Sequence, residues 1–160
     1  MMRIGCGLDV HPLMVGKVLI LGGVNIASDK GAVGHSDADC LTHAIMDALL
    51  GAAGLGDIGK YFPPSDPQYR GISSLLLLEQ VRALLDDHQY KIGNIDASIA
   101  LESPRIATFA PAMCQNIARC LGVQPRQINV KATTYEGLGV VGRSEAIVVY
   151  AVALLEEIQS

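Results

Sequence analysis

The chain contains no tryptophan and only 2 phenylalanines in 160 residues. Surfaces that stack bases need aromatic platforms, so single-stranded nucleic acid is a poor match. Positive charge is also scarce. Lysine and arginine number 12 against 16 acidic residues, a formal net charge of −4, and they are scattered. That excludes a basic nucleic-acid surface and a polybasic membrane patch. No apolar run reaches the length of a membrane span. The four cysteines, Cys6, Cys40, Cys114 and Cys120, form no C-x-x-C pair, and no signal peptide precedes them. They are expected to be small core residues in a reducing cytoplasm. Any phosphate must then be held by metal ions and backbone N–H groups more than by excess positive charge.

What is present fits one domain, residues 1–160, with a sizeable core, since hydrophobic residues make up 50% of the chain. No internal repeat, linker or low-complexity segment interrupts it. Residues 3–11 read as a strand with Gly5, Gly7, Asp9 and His11 on one side. The two glycines there allow another group to approach the backbone closely. Gly22-Gly23 between Val18–Leu21 and Val24–Ile26 is a hairpin signal. A helix follows, ending near Gly54. Residues 56–67 form a long proline-rich loop in which Tyr61-Phe62 should pack on something. Ser73-Ser74 caps a second helix with the stripe Leu77, Leu78, Val81, Leu84 and Leu85. Residues 94–101 alternate as a half-buried strand. Ser103-Pro104 reads as the start of a third helix, with Pro111 restarting or kinking it, up to Gly122. Residues 128–134 are another strand, followed by a glycine-rich loop to Arg143. The apolar segment 146–155 reads as a strand buried on both faces, one covered by helices and the other by a partner subunit.

The densest chemistry lies in His35-Ser36-Asp37-Ala38-Asp39-Cys40-Leu41-Thr42-His43. Ser36 followed by Asp39 fits a capping box, which puts the helix start at Ser36 and His43 about two turns in. His35 then sits beside free backbone N–H groups that favour anions. Asp39 and Asp47, each four residues from His43, share its face and are candidate carboxylate partners for its second ring nitrogen. Asp9 and His11, two apart on a strand, can aim at one ion. One carboxylate and two imidazoles, with a fourth position open, suit a catalytic zinc held by Asp9, His11 and His43.

Several motifs in order now resemble one family, the 2-C-methyl-D-erythritol 2,4-cyclodiphosphate synthases of the non-mevalonate isoprenoid route. They are Gly7-Leu8-Asp9-Val10-His11, His35-Ser36-Asp37-Ala38-Asp39 through His43, Asp47-Ala48-Leu49-Leu50-Gly51-Ala52, Leu55-Gly56-Asp57-Ile58-Gly59, Phe62-Pro63, Asn129-Val130-Lys131-Ala132-Thr133-Thr134 and Gly142-Arg143. The resemblance covers nearly the whole chain. It implies a single-domain α/β (α+β) subunit, a mixed sheet with helices packed on one face, assembled as a homotrimer with active sites between neighbours. The implied reaction converts 4-diphosphocytidyl-2-C-methyl-D-erythritol 2-phosphate to the cyclic diphosphate and CMP. The implied metals are Zn²⁺ on Asp9, His11 and His43, and a second ion, Mg²⁺ or Mn²⁺, on Glu136 with the substrate diphosphate.

By the same resemblance His35 and Thr134 stabilise the transition state. The substrate would touch Asp9, Val10, His11, His35 and Ser36. The erythritol and its phosphate would meet Asp57, Ile58, Gly59, Phe62, Pro63, Pro64, Ser65 and Asp66. The cytidine side would be Leu101, Glu102, Ser103, Pro104, Arg105, Ile106, Ala107, Thr133, Thr134, Tyr135 and Glu136, with Val140 and Arg143 nearby. The chain departs from the family pattern at Cys6, Leu8, Arg105, Gly137, Val140, Ala146 and Tyr150, and at none of the zinc ligands. Two other readings use the same residues: a zinc-dependent phosphohydrolase with metal-bound water as nucleophile, and a non-catalytic nucleotide-binding trimer with a structural zinc. The expected partners are the small diphosphocytidyl substrate and two further copies of the chain, with no nucleic acid and no membrane.

Overall fold

Alternation along the first strand, β1 (Met2–Val15), separates two environments. Gly5, Gly7 and Leu13 are buried on one face, while Met2, Ile4, Leu8 and Val10 on the other are exposed. A computed structural model describes residues 1–158. The hairpin β2 (Leu19–Leu21) and β3 (Val24–Ile26) turns at Gly22-Gly23 as expected, both with positive φ. After β4 (Lys30–Ala32) come helix α1 (Cys40–Ala53), the short α2 (Ile58–Tyr61) and α3 (Ser74–Asp87). Then follow β5 (Tyr90–Ala100), α4 (Ala110–Leu121), β6 (Ile128–Thr133), the short α5 (Gly139–Gly142) and β7 (Ala146–Glu157).

Five strands form one mixed sheet in the order β4-β1-β7-β5-β6, antiparallel except for the β5–β6 pair. β1 therefore lies inside the sheet. Helix α1 packs on β1 and β7, α3 on α1 and β5, and α4 on α3 and β6, all on the face where Gly5 and Gly7 point. A Cβ on Gly7 would fall 1.9 Å from the Ala44 carbonyl oxygen, and one on Gly5 2.0 Å from that of Ala48. The glycines thus admit the helix backbone itself.

Two expectations need correction. Helix α1 begins three residues later than the capping-box reading, and its N-cap is Asp39, whose side chain accepts from the Thr42 N–H. His43 is consequently in the first turn. Asp39 prevails because it also accepts from the N–H groups of Gly22 and Gly23, so one carboxylate serves the helix start and the hairpin together. Ser103-Pro104 does not open a helix. That peptide bond is cis, in a bend, and α4 starts at Ala110 with Pro111 in its first turn. β7 is buried along its helix-facing side; on the other face Ala146 and Val148 are buried as well, Val148 in a small cluster with Val141 of α5, while Tyr150 and Val152 are 46% and 45% exposed in the single chain.

Candidate active site

β1 and α1 bring the three expected ligands together. Asp9 Oδ2 lies 2.9 Å from His11 Nε2 and 3.3 Å from His43 Nδ1, and the two ring nitrogens are 3.3 Å apart. One donor atom from each residue fits within 4.8 Å of the others. His11 gives its Nδ1–H to the Val33 carbonyl at 2.8 Å, which leaves Nε2 as a lone pair in the cluster. Asp9 Oδ2 is buried and receives no hydrogen bond, because no ring N–H points at it despite the short distances. A buried, unpartnered carboxylate oxygen facing two ring nitrogens fits a bound divalent cation.

The electrostatics agree. Burial pushes the Asp9 carboxyl up, but the neighbouring His11 and His43 imidazoles outweigh it and hold it well below the usual carboxylate range. For His11, burial works downward, while Asp9 and the Val33 carbonyl raise it above its ordinary value. A cluster that favours both the carboxylate and a charged imidazole is one that attracts positive charge.

Neither Asp39 nor Asp47 meets His43, contrary to the spacing argument. Asp39 is consumed by three backbone N–H groups, and Asp47 Oδ1 accepts from the Ile58 N–H at 2.8 Å. Burial raises both carboxyls above their ordinary value, against the pull of those N–H donors. The second nitrogen of His43, Nε2, instead faces two hydroxyls, Ser36 Oγ at 3.0 Å and Ser74 Oγ at 2.9 Å. Ser74 had only the role of a helix cap in the sequence, and no local spacing links it to His43.

The triad opens into a pocket of about 270 Å³ lined by His11, His35, Ser36, His43, Ile58, Gly59, Phe62, Pro64, Tyr69 and Leu77. Phe62 packs edge-on against Tyr69, with ring centres 5.5 Å apart, which gives the proline-rich loop its anchor. Asp57 and Asp66 spend their carboxylates on local turns, accepting from the N–H groups of Lys60 and Gln68. Tyr69 and Leu77 are further wall residues; Leu77 was legible only as part of a helix's apolar stripe, and Tyr69 carried no signal of its own. Gly34 packs closely on the His11 ring, since a Cβ there would sit 2.7 Å from His11 Cε1.

The expected cytidine-side residues gather elsewhere. Leu101, Glu102, Pro104, Arg105, Ile106, Ala107, Thr133 and Thr134 line a separate groove of about 220 Å³. Glu102 accepts from the N–H groups of Tyr135 and Gly137, so it holds the turn that presents Thr134 and Glu136. Thr134 Oγ1 in turn donates to Glu136 at 3.2 Å. Glu136 takes a left-handed conformation, with φ 52°, and is exposed. Ser103 and Ser65 are exposed, Pro63 is half-buried, Val140 is exposed, and Arg143 pairs with Glu145 at the surface. Thr133, Ala100, Val148 and Val10 lie in register across β6, β5, β7 and β1. Three strand spacings separate the two clusters by about 14 Å. Alternation also turns Thr133 to the open face with Lys131, while Asp9 and His11 face the helices.

Fold and site together define a mixed α/β enzyme domain with a three-residue cluster able to hold a cation at the edge of a small, partly enclosed pocket. The chain belongs to the YgbB family, whose model matches residues 2–156. It is 57% identical over 157 residues to the 2-C-methyl-D-erythritol 2,4-cyclodiphosphate synthase of Chloroherpeton thalassium, covering 98% of this chain and 100% of that one. The synthase of Desulfatibacillum aliphaticivorans is 54% identical, with 97% and 100% covered. Among solved structures, a CDP complex of Plasmodium falciparum IspF superposes with a TM-score of 0.87 at 37% identity, covering 99% of this chain and 97% of that one. The bifunctional IspDF of Campylobacter jejuni gives a TM-score of 0.95 at 39% identity, covering 99% of this chain and 43% of that longer one.

Proposed function

We propose that this chain, as a single catalytic domain spanning 1–160, converts 4-diphosphocytidyl-2-C-methyl-D-erythritol 2-phosphate to 2-C-methyl-D-erythritol 2,4-cyclodiphosphate and CMP. The Asp9, His11 and His43 cluster opening into a pocket walled by His35, Ser36, Ile58 and Gly59 carries this reading, together with the relatives above. An oxygen of the 2-phosphate attacks the β-phosphorus of the diphosphate. The bond from that phosphorus to the oxygen bridging toward CMP breaks, and CMP leaves with the electron pair as a phosphate. The nucleophile is already ionised near neutral pH, since the second phosphate pKa is about 6. No strong general base is needed, and orientation and charge neutralisation dominate.

Zn²⁺ on Asp9, His11 and His43, and Mg²⁺ or Mn²⁺ on Glu136, would supply positive charge to the phosphate oxygens. His35 and Ser36 at the pocket wall bind and orient the phosphate end. Phe62, Pro64 and Tyr69 keep water from the methylerythritol. Thr134 donates toward the diphosphate, and the turn after β6 with residues 101–107 holds the cytidine. The two half-sites lie on different faces of one sheet, which supports a site completed by a neighbouring subunit. The open apolar face of β1 and β7, with Ile4 74% and Leu8 52% exposed, supports a homotrimer that buries it. No helix among the described residues is long and apolar enough to cross a membrane, in keeping with a cytoplasmic enzyme.

The test is turnover of the diphosphocytidyl substrate by metal-replete protein, followed by phosphorus NMR. Cyclic diphosphate with one equivalent of CMP is the expected result. Inorganic phosphate as the product would replace the proposal with a zinc phosphohydrolase.

A further inference from the structure

One buried hydroxyl at the site has no part in that chemistry. Ser74, the first residue of α3, is 0% exposed. Its backbone N–H donates to Asp37 Oδ2 at 2.9 Å, and its hydroxyl donates to Asp37 Oδ1. A carboxylate offers only lone pairs, so the Ser74 proton is committed to Asp37. Ser74 Oγ, 2.9 Å from His43 Nε2, therefore meets the ring with a lone pair. That contact is a hydrogen bond only if Nε2 carries the hydrogen. A neutral imidazole protonated at Nε2 has its lone pair at Nδ1. Nδ1 is the atom facing Asp9 Oδ2 and His11 Nε2.

We infer that Asp37 and Ser74 are positioning residues: a carboxylate–hydroxyl relay that fixes the tautomer of His43 and holds Nδ1 as a bare lone pair toward the cation. The inference rests on the reading of Asp9, His11 and His43 as metal ligands. Ser36 Oγ also lies 3.0 Å from Nε2, but it is half-buried, and no carboxylate fixes its proton among the described residues. Ser36 is thus free to turn to substrate while Ser74 stays on the ring. The two imidazoles end in opposite tautomers, His11 set by the Val33 carbonyl and His43 by the relay. Asp37 further ties the site to the start of α3, where Ser73 makes no side-chain cap.

Zinc affinity of the full-length protein, measured by competition with a chelator of known strength, should fall about 10–100-fold in Ser74→Ala and in Asp37→Asn. Ser74→Thr keeps the hydroxyl and should recover most of that loss. In zinc-loaded wild type labelled with ¹⁵N-histidine, the His43 Nε2–H should give a slowly exchanging signal that Asp37→Asn shifts and exposes to exchange. A role of Asp37 confined to capping α3 would leave that signal in place. Unchanged zinc affinity in the folded variants, or a wild-type Nε2–H that exchanges freely, overturns the relay. If Ser74→Ala does not fold, Asp37→Asn and the wild-type signal decide. Neither readout uses substrate, so a protein with an intact relay that makes no cyclic diphosphate would refute only the proposed reaction.

Discussion

His43 joins the two halves of the chemistry at the level of single side chains, because one nitrogen faces the cation cluster and the other faces hydroxyls. Replacing it with alanine should abolish zinc binding and turnover, while circular dichroism shows the fold retained. Metal analysis that finds stoichiometric zinc in His43→Ala would move the site. His35 lies at the pocket wall and outside the triad, so His35→Ala should keep zinc and lose about 100-fold in turnover, as when one transition-state donor is removed. The electrostatic environment of His11 and Asp9 gives a further expectation for zinc-free protein. His11 is raised above 6.5 in the fold. Its contribution to stability is therefore present in full below that value and is lost as pH rises through the raised one. Asp9, depressed from 3.8, contributes above that value and loses its contribution in acid. Thermal melts of zinc-free protein should therefore weaken as pH rises beyond neutrality. Zinc affinity should move the opposite way, since His11 must shed its proton to bind. A melting temperature flat from pH 6 to 9 would refute the first of these expectations.

Among elements, the contact of α1 with β1 decides whether a site exists. Asp9 and His11 reach His43 only because Gly5 and Gly7 let the helix backbone lie directly on the strand. Gly7→Ala should destabilise the protein by about 3 kcal/mol or more, since backbone rather than a flexible side chain blocks the added methyl. Denaturant unfolding measures this, and a loss under about 1 kcal/mol would mean that α1 slides without strain. Asp39 is the second joint. Its removal in Asp39→Ala orphans the N–H groups of Gly22, Gly23 and Thr42, two of them buried. The expected loss is about 2–4 kcal/mol, more than an ordinary cap, because hairpin and helix both depend on it. The glycine signal was legible from strand alternation. The Asp39 role was not, because the capping rule sees three residues ahead and the hairpin lies 16 residues back.

For the whole molecule, the sheet keeps the Asp9–His11–His43 cluster and the Thr134–Glu136 turn apart, so under the proposed reaction activity should depend on assembly. Leu8→Asp on the open face should give monomers by sedimentation and little turnover, with zinc still bound. The sharper experiment mixes two inactive proteins, His43→Ala and Glu136→Ala, by refolding them together in equal amounts. In a cyclic trimer each subunit gives one half-site to the next. Random mixing should therefore rebuild both halves at about one site in four and restore about a quarter of wild-type activity. Mixed trimers with no activity would show that each site is built within one chain.

Local physics wrote much of this protein into its sequence. Strand alternation placed Asp9 and His11 on one side, paired glycines set the hairpin, Gly54 and Gly122 stopped their helices, and one carboxylate with two imidazoles marked out a cluster able to hold a metal. Those features depend on neighbours within a few residues. Tertiary structure alone decided that Asp39, not Ser36, caps α1. It also decided that Ser74, 31 residues from His43, takes the second ring nitrogen, and that Thr134 and Glu136 lie beyond the reach of the triad. Each of these turns on which polar groups meet across long stretches of chain when the helices pack on the sheet. Sequence spacing carries no such information, because hydrogen-bond partners are chosen by the folded geometry among all donors within about 3 Å.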